Sequence, residues 1–164
     1  MRVEVLTVKL FYTNVPEEAV NLVRKALEGT YPIQVEVAGD KPLPAEAYHP
    51  EREQYNAEIL LEQLLKEGEI RFWVIQEDIY CPGMNFIFGL ASIYKGAVLS
   101  LNRLTSSELI RKEAIHEMGH ILGLNHCSNN CVMQYSNSLW EAKWKPSTLC
   151  DECKKKIELF IKGK

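Results

Sequence analysis

Apolar and polar residues alternate along several segments of the chain and predict strands there. Residues 2–10 and 33–37 place apolar side chains at every second position, as a strand with one buried face does. Residues 70–76, 85–92 and 96–101 concentrate β-branched and aromatic side chains, so strands are expected there as well. We therefore predict a mixed, twisted sheet of about five strands, in which the last two strands form an antiparallel edge.

Apolar residues at helical spacing mark four further segments, at residues 16–27, 51–66, 106–123 and 147–161. Pro16 is expected to begin the first helix, and Gly29 to follow its end. Thr105 and Glu108 have the spacing of a capping box at the start of the third helix. Strands that alternate with helices predict an α/β (α+β) fold, in which helices pack against the sheet.

The length of the chain predicts a single domain, residues 1–164. Within it we expect an N-terminal part of sheet and helices to about residue 123, followed by a small C-terminal subdomain over about residues 124–164. Hydrophobic residues make up 46% of the chain and charged residues 25%, which is typical of a globular protein with one core.

The charge balance argues against two classes of partner. The net charge is −3, which gives no reason to expect binding to nucleic acid or to an anionic membrane surface. No segment approaches the roughly 18 consecutive apolar residues of a membrane-spanning helix. The alternating N-terminus also lacks the unbroken apolar stretch of a signal peptide. We therefore expect a cytoplasmic monomer.

The predicted third helix carries the sequence His116-Glu117-Met118-Gly119-His120. Histidines at positions i and i+4 are separated by roughly 40° around a helix, so both imidazoles project from one face and can bind the same zinc ion. Glu117 lies roughly 100° away from His116, where it is suited to accept a proton from a water molecule on the metal. This helix therefore predicts two zinc ligands and a general base.

A third ligand is expected at His126, beyond the end of this helix. In an unbroken helix His126 would point about 240° away from His120. Gly123 can adopt a positive φ at no steric cost, so it can end the helix and turn the chain back toward the metal. Three histidines leave the fourth position for water, which is typical of a catalytic zinc. A zinc site without catalysis is the alternative.

Cys127 and Cys131 form the pattern C-x3-C, and Cys150 and Cys153 form C-x2-C. Such spacings are typical of a closed four-cysteine zinc site, whose metal stabilises the fold. We therefore predict a second, structural zinc that holds the C-terminal subdomain to the loop after His126, and thus two Zn²⁺ per chain. Two disulfides are the competing interpretation. Cys81 is expected to be a free thiol without a role.

The string HEMGHILGLNHC, with Met133 and the later cysteines, resembles the archaemetzincins, a family of metzincin zinc peptidases. The resemblance implies a metzincin-like fold and zinc metallopeptidase activity. It also implies that Met133 lies as an apolar floor under the three imidazoles, and that an extended substrate pairs with the strand at residues 85–92. One departure is that three residues separate Cys127 from Cys131, where the family pattern has four.

Two residues near the predicted site have more than one interpretation. Tyr135 follows Met133 by two positions, where the astacins have a tyrosine that reaches the metal, but packing is the favoured role here. Gly89 would either let the substrate backbone approach closely or form a β-bulge, and the bulge is favoured.

The leading hypothesis for function is a zinc metallopeptidase acting on peptides or proteins. A zinc-bound water would attack the peptide bond while Glu117 accepts its proton and passes it to the leaving amine. One alternative is a peptide-binding module of the same fold, with very narrow or no proteolytic activity, against which Glu117 argues. A secreted disulfide scaffold is the other, against which the absence of a signal-peptide pattern argues.

Overall fold

A computed structural model describes residues 5–162, which form two sheets and five α-helices. The strands are β1 (Leu6–Thr13), β2 (Ile33–Asp40), β3 (Tyr48–His49), β4 (Gln54–Asn56), β5 (Ile70–Ile75), β6 (Ile79–Tyr80), β7 (Gly89–Ser92) and β8 (Gly96–Ser100). The α-helices are α1 (Glu17–Thr30), α2 (Ala57–Leu64), α3 (Ser107–Ile121), α4 (Leu139–Trp144) and α5 (Asp151–Lys162). The predicted α/β (α+β) fold class is confirmed.

The larger sheet has the strand order β2-β1-β5-β8-β7, as the prediction of about five strands requires. Its first four strands run parallel to their neighbours, whereas β7 is antiparallel to β8 and forms one edge. Residues 2–4 of the first predicted strand lie outside the described residues, and this strand continues to Thr13. The strand predicted at residues 85–92 is shorter, since only Gly89–Ser92 pair with β8.

A smaller sheet of β3, β4 and β6 stands partly where the sequence predicts helix. Residues 54–56 form β4, and α2 begins only at Ala57. The reason is Asn56, whose side-chain oxygen accepts hydrogen bonds from the N–H groups of Glu58 and Ile59 and so caps the helix at this point.

Two predicted helix ends near α1 and α3 are wrong. Helix α1 continues through Gly29 to Thr30, so the glycine does not follow its end. Ser106, not Thr105, caps α3, because its hydroxyl accepts a hydrogen bond from the N–H of Leu109 at 3.2 Å. The body of α3 agrees with the predicted helix over residues 106–123.

The C-terminal part contains a helix outside the predicted elements. Ser138 caps α4 by accepting a hydrogen bond from the N–H of Glu141 at 3.2 Å. The last predicted helix, at residues 147–161, begins later, at Asp151.

Alternate residues of β5 show how the layers are arranged. Phe72 and Val74 belong to the core that includes buried residues of α1 and α3, while Trp73 and Ile75 belong to the core that includes α2. Helix α3 also contacts β7 and β8, so it runs on one face of the sheet beside the edge.

Among residues 5–162, no helix combines the length and apolar character that crossing a membrane requires.

Candidate active site and second metal-ligand cluster

The structure brings His116, His120 and His126 together in one cluster, whose ligand nitrogens lie within 4.8 Å of one another. The first two come from α3, and the third follows a reversal at Gly123, whose φ is 95°. The N–H of Leu124 donates to the carbonyl of Gly119 at 2.9 Å and closes this turn. Gly123 thus has the positive φ that the sequence predicts.

Two backbone carbonyls determine which ring nitrogens face the centre of the histidine cluster. Nδ1 of His116 donates to the carbonyl of Val132 at 2.9 Å, and Nδ1 of His120 donates to the carbonyl of Leu124 at 2.8 Å. Because a carbonyl only accepts, Nδ1 carries the proton and Nε2 presents a lone pair. The two Nε2 atoms are 3.1 Å apart, close to the roughly 3.3 Å expected around tetrahedral zinc.

The charge state of the histidine cluster also suits a metal. Burial lowers the pKa of all three imidazoles, and that of His116 falls to about 2. Neutral imidazole is the form that binds metal ions, so no proton has to be displaced at neutral pH. The donor set, its tautomers and its spacing therefore fit zinc.

Glu117 is buried beside the histidine cluster and borders the cleft above it. Its Oε2 atom has no hydrogen-bond partner among residues 5–162. Burial raises the pKa of Glu117 to about 8, and the nearby charge of Glu113 acts in the same direction. A buried carboxylate oxygen that no protein group satisfies leaves a hydrogen-bonding position for a water molecule in the cleft.

A buried ion pair behind the histidines escaped the sequence analysis. Lys145 is fully buried, and its Nζ lies 2.8 Å from Oε2 of Glu113. The same ammonium group lies 3.4 Å from Nδ1 of His116 and donates to the carbonyl of Gln134 at 3.4 Å. Lys145 therefore connects α3 to the turn that follows Met133. No local spacing indicates this pair, because its members belong to distant segments of the chain.

Met133 packs against α3 at Gly119, where the helix has no side chain. It is fully buried, and a Cβ atom on Gly119 would lie 2.5 Å from its Sδ atom and 2.9 Å from the hydroxyl of Tyr31. Gly119 thus permits the close approach of the methionine to the helix that carries the histidines. The N–H of Cys127 donates to the carbonyl of Met133 at 3.0 Å and ties the same turn to the second cluster.

The sulfur atoms of Cys127, Cys131, Cys150 and Cys153 form a second cluster within 4.8 Å of one another. The Sγ atoms of Cys127 and Cys150 are 3.8 Å apart, which is about the separation expected around tetrahedral zinc with sulfur bonds of about 2.3 Å. All five cysteines are free thiols in the structure, so it does not contain the two disulfides of the alternative interpretation.

Backbone N–H groups point at the sulfur atoms of this second cluster. Those of Met133 and Cys150 donate to Sγ of Cys131 at 3.4 Å and 3.3 Å. The pKa of the Cys150 thiol falls to about 6, chiefly because it accepts a hydrogen bond from the backbone of Cys153. Such donors favour the thiolate, the form that binds zinc, whereas burial raises the pKa of the Cys131 and Cys153 thiols. The spacing of the four sulfurs fits zinc, and the metal would displace the protons of these two thiols as it binds.

The cleft over the histidine cluster has a volume of about 400 Å³ and is walled by β7 and the loop before it. Met84, Phe86 and Phe88 give this wall its apolar character, and Cys81 also borders it. Tyr135 borders the same cleft, 52% exposed, with its ring centroid 5.1 Å from that of His126. Its ring thus packs on a histidine of the cluster, and the favoured packing role for Tyr135 stays a prediction.

Gly89 does not form the predicted bulge. It pairs with Leu99 in the regular antiparallel register of β7 and β8, which continues to the pair of Ser92 with Gly96. The bulge prediction is wrong, and the reason for a glycine at this position lies elsewhere.

Residues 4–159 match the model of peptidase family M54. The chain is 40% identical over 151 residues to an archaemetzincin of Nanoarchaeum equitans, a match that covers 90% of this chain and 88% of the relative. An archaemetzincin of Archaeoglobus fulgidus is 41% identical over 151 residues, covering 88% of this chain and 94% of the relative.

The fold leads to the same group of proteins. A crystal structure of archaemetzincin from Archaeoglobus fulgidus superposes with a TM-score of 0.86 and 37% identity, covering 92% of this chain and 99% of that one. These matches agree with the converging histidines and the cysteine cluster, and together they show the family of the chain. The chain belongs to peptidase family M54, the archaemetzincins, and is a zinc metallopeptidase.

Proposed function

We propose that this peptidase hydrolyses peptide bonds with a catalytic zinc bound by His116, His120 and His126 and with Glu117 as the general base. The observation that carries the proposal is the convergence of metal-ready Nε2 atoms beside a buried carboxylate oxygen that has no hydrogen-bond partner within residues 5–162. Zinc, when bound, supplies a Lewis acid that polarises the scissile carbonyl and brings the pKa of water toward about 7.

Glu117 moves the proton in this mechanism. Its carboxylate accepts a proton from the attacking water and then donates it to the leaving amine. Burial raises the pKa of Glu117 to about 8 without metal, and the positive charge of bound zinc would lower it toward neutral pH, where the group can both accept and donate a proton. The carbonyls of Val132 and Leu124 meanwhile keep the imidazoles of His116 and His120 in one tautomer and orientation.

The position of β7 supports binding of an extended peptide. This strand ends the sheet order, and Gly89, Leu90 and Ala91 border the cleft. A substrate strand can add to such an edge through main-chain hydrogen bonds, while alternate side chains enter pockets. The apolar wall formed by Met84, Phe86 and Phe88 favours a substrate with an apolar side chain next to the scissile bond.

The cysteine cluster has a different task in this proposal. Cys127, Cys131, Cys150 and Cys153 bind a second zinc that joins the segment after His126 to α5 and leaves no position for water. The whole chain then acts as one domain, with a small C-terminal subdomain held together by this metal. A cytoplasmic monomer remains our expectation from the sequence.

The test combines metal analysis with turnover of a mixture-based peptide library. Purified protein should contain two zinc ions per chain, and Glu117→Ala should keep both while turnover falls about 10²–10⁴-fold. Turnover of Glu117→Ala comparable to that of the unaltered protein would contradict the assignment of the base. Two bound zinc ions without turnover by either protein would favour the peptide-binding module instead.

A further inference from the structure

The side chain of Glu117 occupies the space in which a side chain at position 89 would lie. A Cβ atom on Gly89 would be 2.8 Å from both Cγ and Cδ of Glu117, and 2.8 Å from the carbonyl oxygen of Val98. Separations below 3.0 Å are essentially never found for real Cβ atoms. No other residue therefore fits at position 89 unless Glu117 or strand β8 moves.

The backbone conformation gives no separate reason for this glycine. Gly89 is not among the glycines with positive φ, and its pairing with Leu99 is regular. Ala91, two positions along β7, packs against the core that contains α3, whereas Leu90 packs against the other core. Because side chains alternate along a strand, position 89 faces α3 as position 91 does.

We infer that Gly89 is a positioning residue for the reaction, because the space at its Cβ position holds the Glu117 side chain and sets the distance between that carboxylate and the substrate-binding edge. The inference rests on the proposed role of Glu117 as the base. A larger residue at this position moves the carboxylate away from the histidine nitrogens. A displacement of about 1 Å in such a group costs about 10²-fold in rate.

The first experiment measures the contact without using activity. Thermal unfolding is compared for four zinc-loaded full-length proteins: the unaltered chain, Gly89→Ala, Glu117→Ala and the double variant. Gly89→Ala should lower Tm by several degrees in the presence of Glu117 and by clearly less when Glu117→Ala has emptied the space. Equal losses of Tm in the two backgrounds would assign the glycine to the Val98 contact and overturn the inference.

The same cycle remains decisive if Gly89→Ala fails to fold. The inference then requires the double variant to fold, because the space left by the Glu117 side chain accepts the new methyl group. A double variant that is equally unfolded would overturn it.

The second experiment separates binding from catalysis. Gly89→Ala should lower kcat by about 10²-fold, with KM and zinc content unchanged, because the base and not the peptide is displaced. Gly29→Ala is the matched control and should leave kcat unchanged. Apart from the adjoining residues and the backbone of its own helix, no atom of residues 5–162 lies within 4 Å of a Cβ there. An unchanged kcat in Gly89→Ala would overturn the inference. Turnover by Glu117→Ala would instead contradict the proposed base and leave the Tm coupling untouched.

Discussion

The two metal-ligand clusters differ in how much of the coordination sphere the protein provides. If zinc binds as proposed, three histidines leave one position open toward a cleft of about 400 Å³, and His126 is exposed beside that cleft. Four sulfurs close the other cluster, with Cys131 and Cys153 buried. The number of ligands therefore separates a cluster that can admit substrate from one that can only hold the chain together.

The two clusters also differ in whether titratable side chains surround them. Around the histidines lie ionisable side chains, including Glu117 and the buried pair of Glu113 with Lys145. The sulfur of Cys131 instead accepts hydrogen bonds from backbone N–H groups, which do not titrate near neutral pH. Proton transfer to or from a substrate requires titratable side chains near the metal, whereas a structural metal requires only donor atoms held in place.

The largest expected effect on stability comes from removing a ligand of the cysteine cluster. Cys153→Ser should lower the free energy of unfolding by about 4–5 kcal/mol or more, because the metal there contributes directly to folding. His126→Ala, the matched change in the open cluster, should stay folded while turnover falls by more than about 10²-fold. Denaturant unfolding, zinc content and turnover are measured on both. Equal destabilisation by the two variants would remove the proposed division of roles.

A smaller effect on stability tests whether the buried Lys145 supports the histidine cluster alone. Lys145→Met should lower the free energy of unfolding by about 3 kcal/mol, because Glu113 loses its partner. It should also weaken zinc binding by the histidines about 10-fold to 100-fold, with no change in the zinc held by the cysteines. Lys143→Met is the matched control, since that lysine is exposed. Loss of zinc from both clusters would show that Lys145 supports the whole C-terminal part.

The smallest expected effect is a pH dependence of the free energy of unfolding that arises from the histidine cluster. Mild chelation removes the catalytic zinc, and Glu117→Gln removes the opposing titration of the carboxylate, whose folded pKa is raised to about 8. The folded pKa of His116, lowered to about 2, lies below its unfolded value of about 6.5. Its stabilising contribution is thus present above pH 6.5 and is lost as the pH falls toward 2.

The expected slope for His116 is about 1.4 kcal/mol per pH unit below pH 6.5. Urea unfolding at successive pH values measures it, and the zinc-loaded protein serves as the control with a flatter profile. His116→Phe in the same background should remove this slope, while Glu113, whose pKa burial also raises, titrates in both proteins. Equal profiles with and without His116 would contradict the burial of a neutral His116.

Local spacing in the sequence predicted much of the site. The i, i+4 histidines, the turn at Gly123 and the two cysteine pairs depend on contacts that a few consecutive residues determine. The same holds for α3, whose helical periodicity is unbroken by proline. Its cap was misplaced by one residue, because Thr105 and Ser106 both suit that position and only the backbone geometry decides between them.

The features that the sequence could not predict depend on contacts between segments that are far apart in the chain. Lys145 meets Glu113 only because α4 and the turn after Met133 return to α3. The glycine at position 89 was misinterpreted for the same reason, since its neighbour Glu117 belongs to another element. The helix α4 is different: Ser138 and Glu141 form a local capping signal that could have found it.

One peptide bond connects the two clusters, because His126 belongs to one and Cys127 to the other. If both clusters bind zinc as proposed, metal in one cluster holds the chain directly beside a ligand of the other. Any change that this makes in the affinity of the neighbouring cluster is matched by an equal change in the reverse direction. Loading of the cysteines and loading of the histidines are then one coupled equilibrium and not two independent ones.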